Sequence, residues 1–145
     1  ARAASGLLLG RVVDEMRETF GPGDFLVRGV LGADRDAGAL AVADEIPVGA
    51  TVQFQVRDAP GATRDLVDSL SGISAAGALC LSDVARGSEL FGAVDHDATT
   101  VTDALDGAAV AGAFCAGTYA PVGGRVALHD SAVSMLLVDP RPTWG

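Results

Sequence analysis

The chain has 145 residues, 49 % of them apolar and 20 % charged, enough for one compact domain with a real core and too few for two of ordinary size. Its formal net charge is -9 and its ten Lys and Arg residues are scattered, which argues against a nucleic-acid partner, because phosphate backbones are bound by neutralising their charge. Apolar runs such as Val133 to Val138 fall well short of the ~20 residues of a membrane-spanning helix, and the start has no signal-peptide layout of charge, apolar run and cleavage site, so a cytoplasmic protein with no membrane partner is expected.

The abrupt apolar start at Ala1, without Met, suggests a piece of a longer protein. Ser5 to Phe20 places Leu9, Val12, Val13, Met16 and Phe20 on one helical stripe. The charged residues fall opposite, so an amphipathic helix is expected, with Ser5 as N-cap and Gly21-Pro22-Gly23 as its end. Phe25 to Leu31 and Ala39 to Ala43 read as two strands joined by a turn, a hairpin. Thr51 to Arg57 alternates strictly, with Val52, Phe54 and Val56 on the expected buried face and Gln53, Gln55 and Arg57 on the wet one. Asp58 is placed to cap a helix with Pro60 in its first turn and Ala62, Leu66, Leu70 and Ile73 as the buried stripe.

Gly77 to Leu81 (GALCL) and Val110 to Cys115 (VAGAFC) are continuously apolar, as strands buried on both faces are, and a helix from about Ala98 to Leu105 lies between them. That spacing is a βαβ unit with parallel strands, whose C-terminal loops, Ser82 to Gly92 and Ala116 to Gly124, open on one edge of the sheet. Arg125 to Val138 supplies one long or two short strands, and Asp139-Pro140-Arg141-Pro142 reads as an extended exit. The expected fold is thus a mixed α/β (α+β) domain spanning residues 1–145: an antiparallel N-terminal part, the parallel pair 77–81 and 110–115, and packing helices. A two-sheet αββα sandwich is the alternative.

The chain lacks a Gly-Lys-Ser/Thr phosphate loop, a G-x-G-x-x-G turn, a G-x-S-x-G elbow and an H-E-x-x-H helix. Cys80, His96, Cys115 and His129 have no ligand-pair spacing, so neither metal nor cofactor is expected. Both thiols sit in apolar segments and read as core residues of a reducing compartment. Chemistry is best placed on the two loops of the βαβ edge. Arg86-Gly87 can present a guanidinium to a carboxylate, and Gly117 and Gly123 allow backbone amides close to a ligand. Thr118 and Tyr119 sit in the same loop, with Tyr119 placed to stack on or close over a ligand. His129 ends the stretch as a candidate ligand contact, whereas His96, between Asp95 and Asp97, reads as a surface or capping residue. Cys115 with His129 would be the outside choice for a thiol enzyme.

These blocks, FLVRGVLGAD, VGATVQFQVRDA, GALCLSDVARGSELFG, DHDA and VAGAFCAGTYAPVGGRVALH, resemble the C-terminal domain of the FIST family in order and spacing. The likeness is carried by Arg86-Gly87, by Phe114 to Gly117, by Pro121 to Gly124 and by His129. It implies a non-enzymatic sensory domain that works beside an N-terminal FIST domain and senses a small polar ligand such as an amino acid. The candidate contacts are Arg86, Gly87, Cys115, Gly117, Thr118, Tyr119, Gly123 and His129. A protein-interaction module is the alternative. Asp83, Val84 and Ala85 depart from the family's Cys-Asn-Gly, and Thr118, Tyr119 and Ala120 from its Glu-Ile-Gly, so both expected ligand loops differ from the family pattern.

Overall fold

The run Leu7 to Val12 is a strand, β1 (Leu7–Val12), in the computed structural model, which describes residues 7–139. The helix expected over Ser5 to Phe20 is therefore corrected, and the cap assigned to Ser5 lies outside the described residues. Pairing overrides the helical periodicity. β1 is bonded on both sides, antiparallel to β2 (Phe25–Asp34) and to β4 (Val52–Val56). Gly10, a poor helix former, sits where these neighbours crowd in. A Cβ there would lie 2.7 Å from Gln55 Nε2 and 3.1 Å from the Phe25 Cβ. Met16, assigned to the buried stripe, is 91 % exposed.

The hairpin of β2 with β3 (Ala39–Val42) forms as expected, its turn held by Asp34 Oδ1, which accepts from the amides of Asp36 and Ala37. The four strands lie in the order β3-β2-β1-β4. Leu9, Val12 and Leu26 are buried, but on the edge strand β4 the expected faces need correction. Val52, Phe54 and Val56 are exposed while Gln55 is half-buried.

By its contacts the chain divides into two compact units, residues up to Arg57 with Tyr119–Asp130, and Asp58–Thr118 with the residues from Ser131 on. In the first unit the expected Gly-Pro loop is largely strand. β7 (Thr118–Val122) turns at Gly123-Gly124 into β8 (Arg125–His129). Both glycines have positive φ, 54° and 74°, the left-handed pair that a two-residue hairpin turn demands. Gly123 also packs tightly: a Cβ would lie 2.4 Å from the Val13 Cγ1.

The second unit carries the expected βαβ arrangement. Helix α1 (Ala59–Leu70) is capped by Asp58 Oδ1, which accepts the Gly61 amide at 2.7 Å. β5 (Gly77–Asp83) pairs in parallel with β6 (Ala109–Cys115), Cys80 opposite Gly112 and Asp83 opposite Cys115. β9 (Val133–Val138) adds antiparallel on the other side, giving the order β6-β5-β9. Between β5 and β6 run a short 3-10 turn (Val84–Arg86), α2 (Ser88–Phe91) and α3 (His96–Ala104).

The antiparallel N-terminal strands and the parallel pair thus belong to separate sheets within the mixed α/β fold. Leu66 and Leu70 of α1 and Val101 with Leu105 of the α3 end close over Ala78 and Cys80. Each buried leucine contributes about 1.5–3 kcal/mol relative to exposure. Within this unit the described helices cover this face of the parallel pair. Leu79 and Leu81, on the opposite face of β5, remain 43 % and 38 % exposed, with Leu136 and Val138 of β9 beside them at 65 % and 55 %, so the continuous apolar runs do not mark burial on both faces.

Candidate functional site

A polar network is built into the C-terminal end of β5. Ser82 and Asp83 are the last residues of the strand, and both are buried. Asp83 Oδ1 accepts the Ala85 amide at 2.8 Å, which caps the 3-10 turn and delivers Arg86 inward. The residue that stands where the family has Cys therefore shapes the loop that carries the arginine.

Arg86 meets Asp97, a residue of the first turn of α3. Arg86 Nε donates to Asp97 Oδ2 at 2.8 Å and Nη2 to Oδ1 at 2.9 Å, a two-pronged bond between side chains only 7 % and 6 % exposed. Ser82 Oγ donates to the same Oδ2, and His96 Nδ1 lies 3.2 Å from Oδ1. Burial opposes the charge on Asp97, but the hydrogen bonds from Arg86 and Ser82, the guanidinium charge and the His96 bond outweigh it and hold the carboxyl below the usual carboxylate range. Asp97 is the residue that sequence reasoning missed. Its one visible signal was a carboxylate placed in the first turn of a helix that follows the sheet edge.

His96 is likewise more than a surface residue. Its ring stacks on Phe91, centroids 3.6 Å apart and planes 4° from parallel, while the Arg86 Cζ lies 5.3 Å over the same phenyl ring. His96 Nε2 is 2.9 Å from Thr63 Oγ1 of α1, and that hydroxyl is also 2.9 Å from the Ala59 carbonyl. The single hydroxyl proton can serve one of the two at a time. The stack and the bonds tie α1, α2 and α3 to the end of β5.

Two clefts border this network. One, of about 380 Å3, is lined by Arg86, Gly87, Ser88, Val94, Asp95 and His96. The second, of about 150 Å3, reaches Cys80 and Ser82 of β5, Val110 and Gly112 of β6, and Ala98 of α3. Asp95 and Phe114 line both. Asp95 is exposed and left-handed, with φ 56°, and makes no side-chain cap bond. Arg86 spends two of its three nitrogens on Asp97, and Nη1 makes no hydrogen bond to another of the described residues.

The remaining expected residues are distributed between the units. Gly87 joins Arg86 at the larger cleft. Cys115 ends β6, half-buried, with Sγ 3.9 Å from the Ala113 carbonyl. Gly117 turns the chain at φ 97°. Thr118 is 4 % exposed, and its hydroxyl has no partner among the described residues. In the other unit, Tyr119 is 74 % exposed, Gly123 forms the hairpin turn, and His129 Nε2 donates to the Ala120 carbonyl at 3.1 Å across that hairpin. Both cysteines are free. Burial, then the charge of Asp97, pushes the Cys80 thiol up, so it behaves as an inert core residue. Among the described residues no group of three His, Cys, Asp or Glu side chains gathers as a metal site, and no helix is long and apolar enough to cross a membrane.

Together these features describe an α+β domain with a ligand-sized cleft beside a buried ion pair. The chain belongs to the FIST C domain family, whose model matches residues 1–121, a family of signal-transduction domains. Gly123 and His129 lie beyond the matched stretch. The chain is 45 % identical over 143 residues to "Uncharacterized protein Mb0898c" of Mycobacterium bovis, covering 94 % of this chain and 37 % of that protein. It is 46 % identical over 138 residues to "Uncharacterized protein MT0656" of Mycobacterium tuberculosis, covering 91 % and 36 %. It thus spans little more than a third of the length of these curated relatives. No solved structure matches it.

Proposed function

We propose that this domain is a non-enzymatic sensor that binds a free α-amino acid in the larger cleft. The observation that carries this reading is the division of labour at Arg86. Two nitrogens are fixed by Asp97, so the guanidinium is held rigidly, while Nη1 is left for a carboxylate. Asp95 stands on the same cleft with an unengaged carboxylate suited to an ammonium group. A cation and an anion lining one cleft match a zwitterion, and a preformed site avoids the cost of ordering side chains on binding.

Isothermal calorimetry with a panel of amino acids on the full-length protein tests the reading. Asp95→Asn should weaken binding about tenfold or more, the loss of one charged hydrogen bond, without unfolding the protein, because Asp95 is exposed. Equal affinity in wild type and variant would remove Asp95 from the site, and no heat from any amino acid would end the proposal.

A second reading, an interaction module, is favoured by the open apolar face of Leu79, Leu81, Leu136 and Val138. An N-terminal FIST domain of the same longer protein is the partner it would take.

A further inference from the structure

We infer that the smaller cleft is the side-chain subsite of the amino-acid site, and that it selects neutral aliphatic side chains over acidic ones and over glycine. This inference rests on the amino-acid reading of the larger cleft. The two clefts meet at Asp95 and Phe114, which line both. A ligand whose ammonium sits at Asp95 is beside the smaller cleft, into which its side chain can extend.

The chemistry of that direction is specific. Val110, Ala98, Gly112 and Cys80 offer carbon, sulfur and backbone surface, and the Cys80 thiol stays protonated and uncharged because its pKa is raised. Phe114, 56 % exposed at the mouth, adds a ring face that a methyl or methylene group can cover on entry. The buried polar side chains of Ser82 and Asp97 that line it are already engaged, since Ser82 Oγ donates to Asp97 and Asp97 is held by Arg86. A polar side chain would therefore find no free side-chain donor in Ser82 or Asp97, and burying its own group unpaired is unfavourable. An acidic side chain would in addition face the carboxylates of Asp95 and Asp97. Size sets the upper limit: about 150 Å3 takes a group of roughly benzene size, which admits the side chains of valine, leucine and methionine and excludes an indole.

The test is competition calorimetry on the full-length protein with glycine, leucine, glutamate and tryptophan. Leucine should bind at least about tenfold more tightly than glycine, the discrimination an apolar pocket gives for added methylenes, and glutamate and tryptophan should bind no better than glycine. Ala98→Leu, at an exposed helical position, should fill the subsite and bring the leucine-to-glycine ratio close to one, with thermal melting used to establish that the variant is folded. Glutamate binding as tightly as leucine, or a ratio unmoved by Ala98→Leu, would overturn the subsite while leaving the larger cleft standing. Failure of every amino acid, glycine included, would take both.

Discussion

The bond between Arg86 and Asp97 makes a quantitative claim. Both side chains are more than nine-tenths buried, so deleting one partner leaves the other charged in a poorly solvated place, a loss of about 3–5 kcal/mol. Asp97→Ala also strips a partner from Ser82, adding about 1 kcal/mol, and removes the bond that orients His96. Arg86→Met should cost a similar amount by stranding the carboxylate. The double change, Arg86→Met with Asp97→Leu, removes both charges and fills the space with apolar groups, and such replacements are often near neutral. The two losses should therefore fail to add by about 2 kcal/mol or more. Against a total stability of about 5–15 kcal/mol for a domain of this kind, each single variant should show a plainly lowered urea midpoint by circular dichroism, with the slope unchanged. The carboxyl also sets a pH signature. Its pKa is held below the unfolded value of about 3.9, so its contribution is fully present above that pH and is lost as the pH falls through the folded pKa. Wild type should lose stability in this acid window more steeply than Asp97→Ala. Single losses under about 1 kcal/mol, or additivity to within about 0.5 kcal/mol, would mean that Arg86 and Asp97 are not a coupled buried pair.

Two further outcomes are expected. Gly112→Ala would place a Cβ 2.0 Å from the Cys80 carbonyl oxygen, so β5 and β6 must part or shift, at a cost of about 1–3 kcal/mol or more; an unchanged melting temperature would contradict the Cys80–Gly112 register. Leu136→Glu separates the two fates of the open sheet face in the full-length protein: a change within about 0.5 kcal/mol means the face meets water, whereas a loss above about 2 kcal/mol means that an apolar partner covers it.

Where one local signal decided the structure, the sequence was legible. Asp58 with Pro60 marked the start of α1 because a cap and a first-turn proline act within one turn. The parallel pairing of β5 and β6 followed from two apolar runs with a helix between them, since few connections satisfy that order. Where pairing decided, it misled. Leu9, Val12 and Met16 fit a helical stripe, yet β1 takes its hydrogen bonds from two distant strands, and only Gly10 in the middle of the run hinted at the tight approach. The loop around Gly123-Gly124 carried the chemistry of a hairpin turn as clearly as that of a ligand loop. The two functions ask the same thing of glycine, positive φ, so the residue alone does not separate them.

The candidate site divides along the same line. Arg86 was legible because a guanidinium after a parallel strand sits at a sheet edge whatever the details of the loop. Asp97 was not, because its part depends on geometry that sequence spacing does not fix. Left-handed Asp95 turns the chain so that the carboxylate two residues on, Asp97, lands against the Ser82 end of β5, and it is this placement that turns a solvated Asp-His-Asp triplet into a buried anchor. With Asp83 setting the 3-10 turn and Asp97 gripping two of the guanidinium nitrogens, the loop needs neither the Cys nor the Asn of the family pattern to fix its arginine. The departure at Asp83 thus reads as a different way of holding the same cation, which is why binding should be more sensitive to the exposed Asp95 at the cleft than to the residues that replaced the family's loop.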